Sequence, residues 1–450
     1  MTSKAKIPVI IDTDPGIDDV VALLLALASP ELEILAILVS FGASLSSWSS
    51  RHRSEILSIN VLKTYQALSA HFEQYPDDQA RFPNFQPETK AILALGATGP
   101  LEGDLHSAQY FHGRDGLGDI AERHPELNLE TVATGEAHPQ LQLTKKYGVD
   151  VALELLRSRE PRSITYIALG PLTNLATLMH VDRDAVVSRI DRVICMGGAL
   201  DVPGNTSPVA ECPSMAVYGW YVVNFFADPY AAQELLTPKD SHPLPHFPLD
   251  RFFLLPLDIT TPHELRFPYY KETVDPTFHS TAVPSVPSAK TPLTHFTSSF
   301  LERTREVMLE FGKDAMELHD IVAVWCAIAN PQIGKNIEDG SLSPGWRMVK
   351  RKFEIERVGE LTRGMLVVDR REDETAYAPG ANRAHVQAEL ERLVSDHHHE
   401  WESTALPAQV EVEKPADNTQ SLQGVQCIVE TPGPDALLKL LVKRVWGIDA

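Results

Sequence analysis

The sequence predicts an α/β fold with an open, mostly parallel central sheet flanked by helices, and three observations lead there. Residues 7–11 (IPVII), 18–28 (DDVVALLLALA) and 32–39 (LEILAILV) read as strand, helix and strand in immediate succession, the order of a parallel βαβ unit. The strand-like runs are almost continuously apolar, as expected of strands covered by helices on both faces. The pattern then recurs: residues 148–158 read as a helix, ITYIAL (164–169) as a strand, LTNLATLM (172–179) as a helix, and RVICMGG (192–198) as a strand entering a glycine turn.

Each element has a local reason. Pro30 ends the first helix, because proline has no amide hydrogen to continue it. LHDIVAVWCAIANP (318–331) places His319-Asp320 ahead of an apolar helical run, and residues 434–446 read as a final amphipathic helix. Residues 68–90, 238–250, 276–294 and 395–424 are polar or rich in Pro, Ser and Thr and read as irregular. The run His397-His398-His399 falls in the last of these and reads as solvated loop.

Composition excludes several classes. The chain has 450 residues, 43% of them hydrophobic, so it has the material for a large core and is not globally disordered. A formal net charge of -21 argues against nucleic acid and anionic membrane surfaces as partners, since both need clustered Lys and Arg. The four cysteines, Cys195, Cys212, Cys326 and Cys427, form no CxxC pair, which argues against a thiolate zinc site and fits a reducing compartment. The opening MTSKAKIPVIIDTD carries too short an apolar run for a signal peptide, and the longest apolar stretch is cut at Pro30-Glu31. The expectation is a cytoplasmic protein without a membrane span.

The most informative stretch is IIDTDPGIDDVVALLLAL (10–27), where Asp12, Asp14, Asp18 and Asp19 sit between two apolar runs. In a parallel α/β sheet this is the carboxyl end of a strand, where ligands bind. A helix N-terminus favours an anion by about 0.3–1 kcal/mol. Two carboxylates about 4 Å apart repel by roughly 4 kcal/mol at an effective dielectric near 20. A cation or a shared proton must therefore offset the crowding. Oxygen ligands point to Ca²⁺ or Mg²⁺. The bland alternative is that one aspartate caps the helix while the others face water. Further polar residues lie at the edges of apolar elements: His112 and Asp115 in YFHGRDGLGDI (110–120), the turn in IALGPLTNLA (167–176), Asn205 and Glu211 in MGGALDVPGNTSPVAE (196–211), and Asp320.

Taken in order, DTDPGIDD, FHGRDGLG, LGPLTN, MGG followed by GN and PVAE, ADPYAA and LHD resemble the nucleoside hydrolases of the inosine–uridine-preferring type. VGELTRGMLVVD (358–369) is similar to that family's late strand pair, and the resemblance runs in pieces over about residues 7–370. It implies a Rossmann-like sheet and a Ca²⁺-dependent enzyme that splits ribonucleosides into ribose and free base. Carried onto this chain, it makes Asp14 both a metal ligand and the base that deprotonates metal-bound water. Asp19, Asp320 and the Leu169 carbonyl become further ligands. Asp18, Asn205, Glu211 and Asn224 fall at ribose-binding positions, Met196 touches the sugar, and Asp12 stands behind the ligands. His319 protonates or orients the leaving base, while His112 either approaches the base or braces its glycine loop. The resemblance also implies a homodimer or homotetramer.

Two departures stand out. The family usually has Gly-Asn after the second strand, where this chain reads SFGASLS with Ala43 in place of the asparagine. Glu211 and Asn224, normally two positions apart, are separated here by CPSMAVYGWYVV, which implies an insertion at 212–222. That insertion reads either as a lid or as a gene-model artefact. The expected organisation is a single domain over 7–450 with irregular excursions at 68–90, 212–222 and 395–424. Two other readings stay open: a catalytically weak or inactive paralogue that keeps the fold and the cation, and a phosphatase of the haloacid-dehalogenase type with its Asp-x-Asp after the first strand. The sequence has no GxSxG, HExxH or GxxxxGK[ST] motif.

Overall fold

The computed structural model describes residues 6–42, 50–106, 109–129, 138–202, 223–237, 246–279, 281, 284–331, 342–359, 362–368 and 424–449. Nine strands build the main sheet: β1 (Ile7–Thr13), β2 (Leu32–Val39), β3 (Ala91–Leu95), β4 (Leu141–Leu143), β5 (Ile164–Ala168), β6 (Ile190–Met196), β7 (Phe252–Leu255), β8 (Arg347–Arg351) and β9 (Val425–Glu430). Their spatial order is β8-β9-β7-β6-β5-β1-β2-β3-β4. Every pairing is parallel except that of β8 with β9 at one edge. The longer helices are α1 (Ile17–Leu27), α2 (Ser50–Gln74), α3 (Gly148–Ser158), α4 (Thr173–Arg189), α5 (Pro229–Leu236), α6 (Pro292–Glu310), α7 (His319–Ala329) and α8 (Pro434–Leu441).

Apolar side chains explain the layering. β1, β2 and β5 are buried on both faces, one face packing under α1, α2, α6, α7 and α8 and the other under α3, α4 and α5. Helix α1 is apolar nearly all round and packs on α7, as a fully enclosed helix must. Hydrophobic burial worth about 1.5–3 kcal/mol per large side chain holds these layers together.

The topology fixes where a ligand binds. From β1 the chain works outward through β2, β3 and β4, then returns to place β5 on the other side of β1. The crevice beyond the carboxyl ends of β1 and β5 is therefore the topological switch point, the preferred ligand position in open α/β sheets. Asp12 of β1 sits in register with Ala168 of β5, so Asp14 and Leu169 emerge at the same rim.

Several sequence expectations need correction. The stretch 68–90 is not wholly irregular: α2 runs to Gln74 and residues 76–81 form a 3₁₀ helix. Likewise 276–294 ends in ordered helix, because Thr291 caps α6 through its side chain and Pro292 occupies the first helical position, where its missing amide costs nothing. The final helix is confirmed, with its last turn, Val442–Trp446, wound as a π-helix. In the late strand pair, residues 366–367 pair antiparallel with 354–355. Ala43, Asn205, Glu211, the insertion at 212–222 and the histidine run lie outside the described residues. Among the described residues no helix is long and apolar enough to cross a membrane.

Candidate active site

The aspartates converge because β1 ends just where α1 begins. Pro15-Gly16 turns the chain between them, and the Gly16 amide donates to Asp19 Oδ2 at 3.1 Å. Thr13 Oγ1 donates to Asp19 Oδ1, and the Asp14 amide reaches the same oxygen at 3.3 Å. Asp19 is thus a rigid part of the turn. One carboxylate oxygen each from Asp18, Asp19 and Asp320 lie within 4.8 Å of one another. Asp320 reaches this point from the first turn of α7, which packs beside α1.

Asp14 stands next to the trio. It is buried, and its carboxylate fits against two glycines. A Cβ on Gly42 would lie 1.9 Å from Asp14 Oδ2, and one on Gly170 would lie 2.8 Å from Oδ1. Side chains at those positions would push the carboxylate aside.

Burial raises every carboxyl here, and neighbouring aspartates add to the rise at Asp14, Asp19 and Asp320. Asp14 and Asp320 are held well above the ordinary carboxylate range, first by burial and then by neighbouring aspartates. Asp18 and Asp19 are raised, chiefly by burial. Such a cluster is unfavourable at neutral pH unless it holds a cation or retains protons. The hard oxygen donors fit a divalent ion such as Ca²⁺ or Mg²⁺, whose charge offsets that of the cluster.

Asp12 lies behind the cluster, fully buried, with three hydrogen bonds to its side chain. Tyr166 Oη donates at 2.7 Å, Asn174 Nδ2 at 2.8 Å and Ser40 Oγ at 3.3 Å. Burial still pushes its carboxyl up to about 7. Asn174 also accepts the Ala97 amide at 2.7 Å, so one side chain ties β1, β3 and α4 together. Sequence reasoning did not single out Tyr166, Asn174 or Ser40. Asn174 was the findable one, since it closes the LGPLTN block.

The remaining predicted residues separate into those at the rim and those that brace it. The Leu169 carbonyl accepts a hydrogen bond from Asn224 Nδ2, which also donates to the Met196 carbonyl at 3.0 Å. Asn224 therefore joins the ends of β5 and β6, and its amide hydrogens are directed at backbone. Met196 is buried at the end of β6, and Phe225 packs against the glycine turn that follows. His112 accepts the Ile17 amide through Nδ1 at 3.2 Å, capping the first turn of α1. Its ring is buried and held down to about 4, mainly by burial, so it is neutral. Asp115 accepts the amides of Leu117, Asp119 and Ala121 at 2.9 Å each, which makes it the organiser of the glycine loop. Asn60 Nδ2 bridges that loop to the turn, donating to the Asp115 carbonyl at 2.8 Å and the Pro15 carbonyl at 2.9 Å.

His319 is half-buried at the start of α7, with Nδ1 2.8 Å from Thr260 Oγ1. Burial lowers its imidazole to about 4 against the opposing pull of Asp18. It is thus neutral at pH 7. The neutral ring has one nitrogen to donate and one to accept, and Nδ1 is the one paired with the Thr260 hydroxyl.

Comparison with known proteins gives the family and the fold. The chain is 31% identical over 229 residues to uridine nucleosidase 1 of Arabidopsis thaliana, covering 51% of this chain and 52% of that protein. It is 29% identical over 224 residues to the inosine-uridine preferring nucleoside hydrolase of Leishmania major, covering 50% and 55%. The chain thus spans about half the length of these curated relatives. A solved plant nucleoside hydrolase superposes with a TM-score of 0.57 at 18% identity, covering 98% of this chain and 99% of that one, a likeness of fold. The family model of inosine-uridine preferring nucleoside hydrolases matches residues 9–397, and this chain belongs to that family.

Proposed function

We propose that the protein hydrolyses the N-glycosidic bond of ribonucleosides, purine or pyrimidine, to ribose and the free base, with one Ca²⁺ at the acidic cluster. The observation that carries this is the approach of Asp18, Asp19 and Asp320 to within 4.8 Å at the switch point of a nucleoside hydrolase fold. Bound there, a calcium ion would polarise water and grip the ribose diol. Asp14, Asp19, Asp320 and the Leu169 carbonyl are the proposed ligands, and the trio geometry adds Asp18, whose carboxylate also faces the sugar. Asp14 takes the proton from the attacking water. Asn224 holds the Leu169 carbonyl in place and, with Met196, is proposed to face the sugar, a role the sequence resemblance also assigns to Asn205 and Glu211. His112 keeps α1 in position beneath the base.

Cleavage develops oxocarbenium character on the ribose, and a carboxylate-rich pocket stabilises that positive charge. A neutral His319 donates a hydrogen bond from Nε2 to the departing base. The same reading makes residues 7–450 one domain acting in the cytoplasm as a homodimer or homotetramer. The buried, unpaired Cys195, Cys326 and Cys427 accord with a reducing compartment. Family membership displaces the haloacid-dehalogenase alternative.

The test is release of base from a panel of purine and pyrimidine ribonucleosides, with calcium removed by chelation and then restored. Release that follows the calcium supports the proposal. Calcium-dependent stabilisation with no base released from any nucleoside identifies an inactive paralogue. A second expectation concerns His319→Ala: inosine turnover should fall about 10²–10⁴-fold, while a nitrophenyl riboside, whose leaving group needs no proton, should lose much less. Equal losses on both substrates would remove the leaving-group role.

A further inference from the structure

A second set of metal-ligating side chains lies on the far end of the glycine-loop segment. His124 and Glu126 sit around the 3₁₀ turn Pro125–Leu127, and His295 is in the first turns of α6. One ligand atom from each lies within 4.8 Å of the others. Glu126 Oε1 is 3.2 Å from His124 Nδ1 and 2.9 Å from His295 Nε2. The two rings meet edge to face, with centroids 5.5 Å apart.

The outward nitrogens face polar groups, Glu302 Oε2 also accepting from Arg123 Nη2 at 3.2 Å. His295 Nδ1 is 2.9 Å from Ser285 Oγ, and His124 Nε2 faces Glu302 Oε2 at 3.5 Å. Both histidines and Glu302 are buried, and His124 Nε2 and Glu302 Oε1 have no hydrogen-bond partner. The Glu126 side chain is 40% exposed, which leaves an entrance and a place for water.

We propose that His124 Nδ1, Glu126 and His295 Nε2 bind a zinc ion, with water as fourth ligand. The donor set decides the metal. Two imidazoles and one carboxylate suit Zn²⁺, whereas Ca²⁺ and Mg²⁺ take oxygen donors. Zinc–ligand bonds of about 2.0–2.1 Å set tetrahedral ligand atoms roughly 3.3 Å apart, so the two contacts to Glu126 need widen only slightly. Glu302 and Ser285 then accept the other ring N–H groups, as a carboxylate or hydroxyl commonly does behind zinc-bound histidine. The unpartnered His124 Nε2 thereby finds its acceptor. The ion joins α6 to the segment that carries His112 and Asp115, and so braces the turn below the aspartates. This site is independent of the nucleoside reading.

The experiment uses untagged full-length protein in which His397, His398 and His399 are replaced by alanine, so that the histidine run contributes nothing. It is stripped of metal and titrated with Zn²⁺ in excess Ca²⁺. One equivalent should bind, and Co²⁺ in its place should give the visible absorption of a tetrahedral site. His295→Gln and Glu126→Gln should each weaken binding more than about 100-fold, and Glu302→Gln about 10–100-fold. Absence of saturable binding overturns the proposal. So does unchanged binding in Glu126→Gln, a half-exposed position where substitution leaves folding intact.

Discussion

Asp14→Asn is expected to reduce kcat/KM for nucleosides by about 10²–10⁴-fold, the range for loss of a positioned general base. That corresponds to about 3–5 kcal/mol of transition-state stabilisation. The substitution is nearly isosteric, so the asparagine fits the same slot between Gly42 and Gly170. It also removes a charge that burial and the neighbouring aspartates oppose. Metal-free variant protein should therefore melt no lower than metal-free wild type, and the activity loss will not reflect unfolding. Calcium titration then separates the two roles proposed for Asp14. As a ligand and base it loses both affinity and rate; as a base beside the Asp18–Asp19–Asp320 trio it loses rate alone. Retained turnover removes Asp14 from the chemistry.

The sequence made parts of this molecule readable for a physical reason. β1, α1, β2, β5, β6 and α7 announce themselves because each is apolar across its whole width, and DTDPGIDD stands out because charge between such runs is costly. β9 was not legible. Its partners β7 and β8 are far away in sequence, and only pairing distinguishes VQCIVE from a buried turn of helix. Helix α2 was missed altogether because its polar and apolar residues are mixed without a clean stripe. Within the site, the aspartates were visible but their supports were not. Tyr166 and Ser40 matter only through contact with Asp12, over 154 and 28 positions of chain. The sequence left His112 open between base contact and bracing its loop, and it gave no sign that the ring accepts the Ile17 amide at the start of α1.

Calcium should stabilise the protein more at pH 8 than at pH 5, and the sign follows from the carboxyls. Asp14, Asp18, Asp19 and Asp320 all have folded-state values raised above the ordinary range. Unfolded aspartates titrate near 3.9, so below that pH both states are protonated and the cluster costs nothing. As pH climbs from there through the raised folded values, the unfolded chain ionises freely while the fold resists, and metal-free stability falls. A bound divalent cation favours the charged carboxylates and cancels the penalty where it is largest. Calcium at about 100 times its Kd contributes roughly 2.7 kcal/mol by mass action alone. Because the ligands must be ionised, its apparent affinity also rises with pH. Melting curves with and without calcium at the two pH values measure the difference, and repeating them in His295→Gln excludes the histidine pair as the source. A gain equal at both pH values would mean that calcium binds somewhere other than these aspartates, and base release would then have to be explained without them.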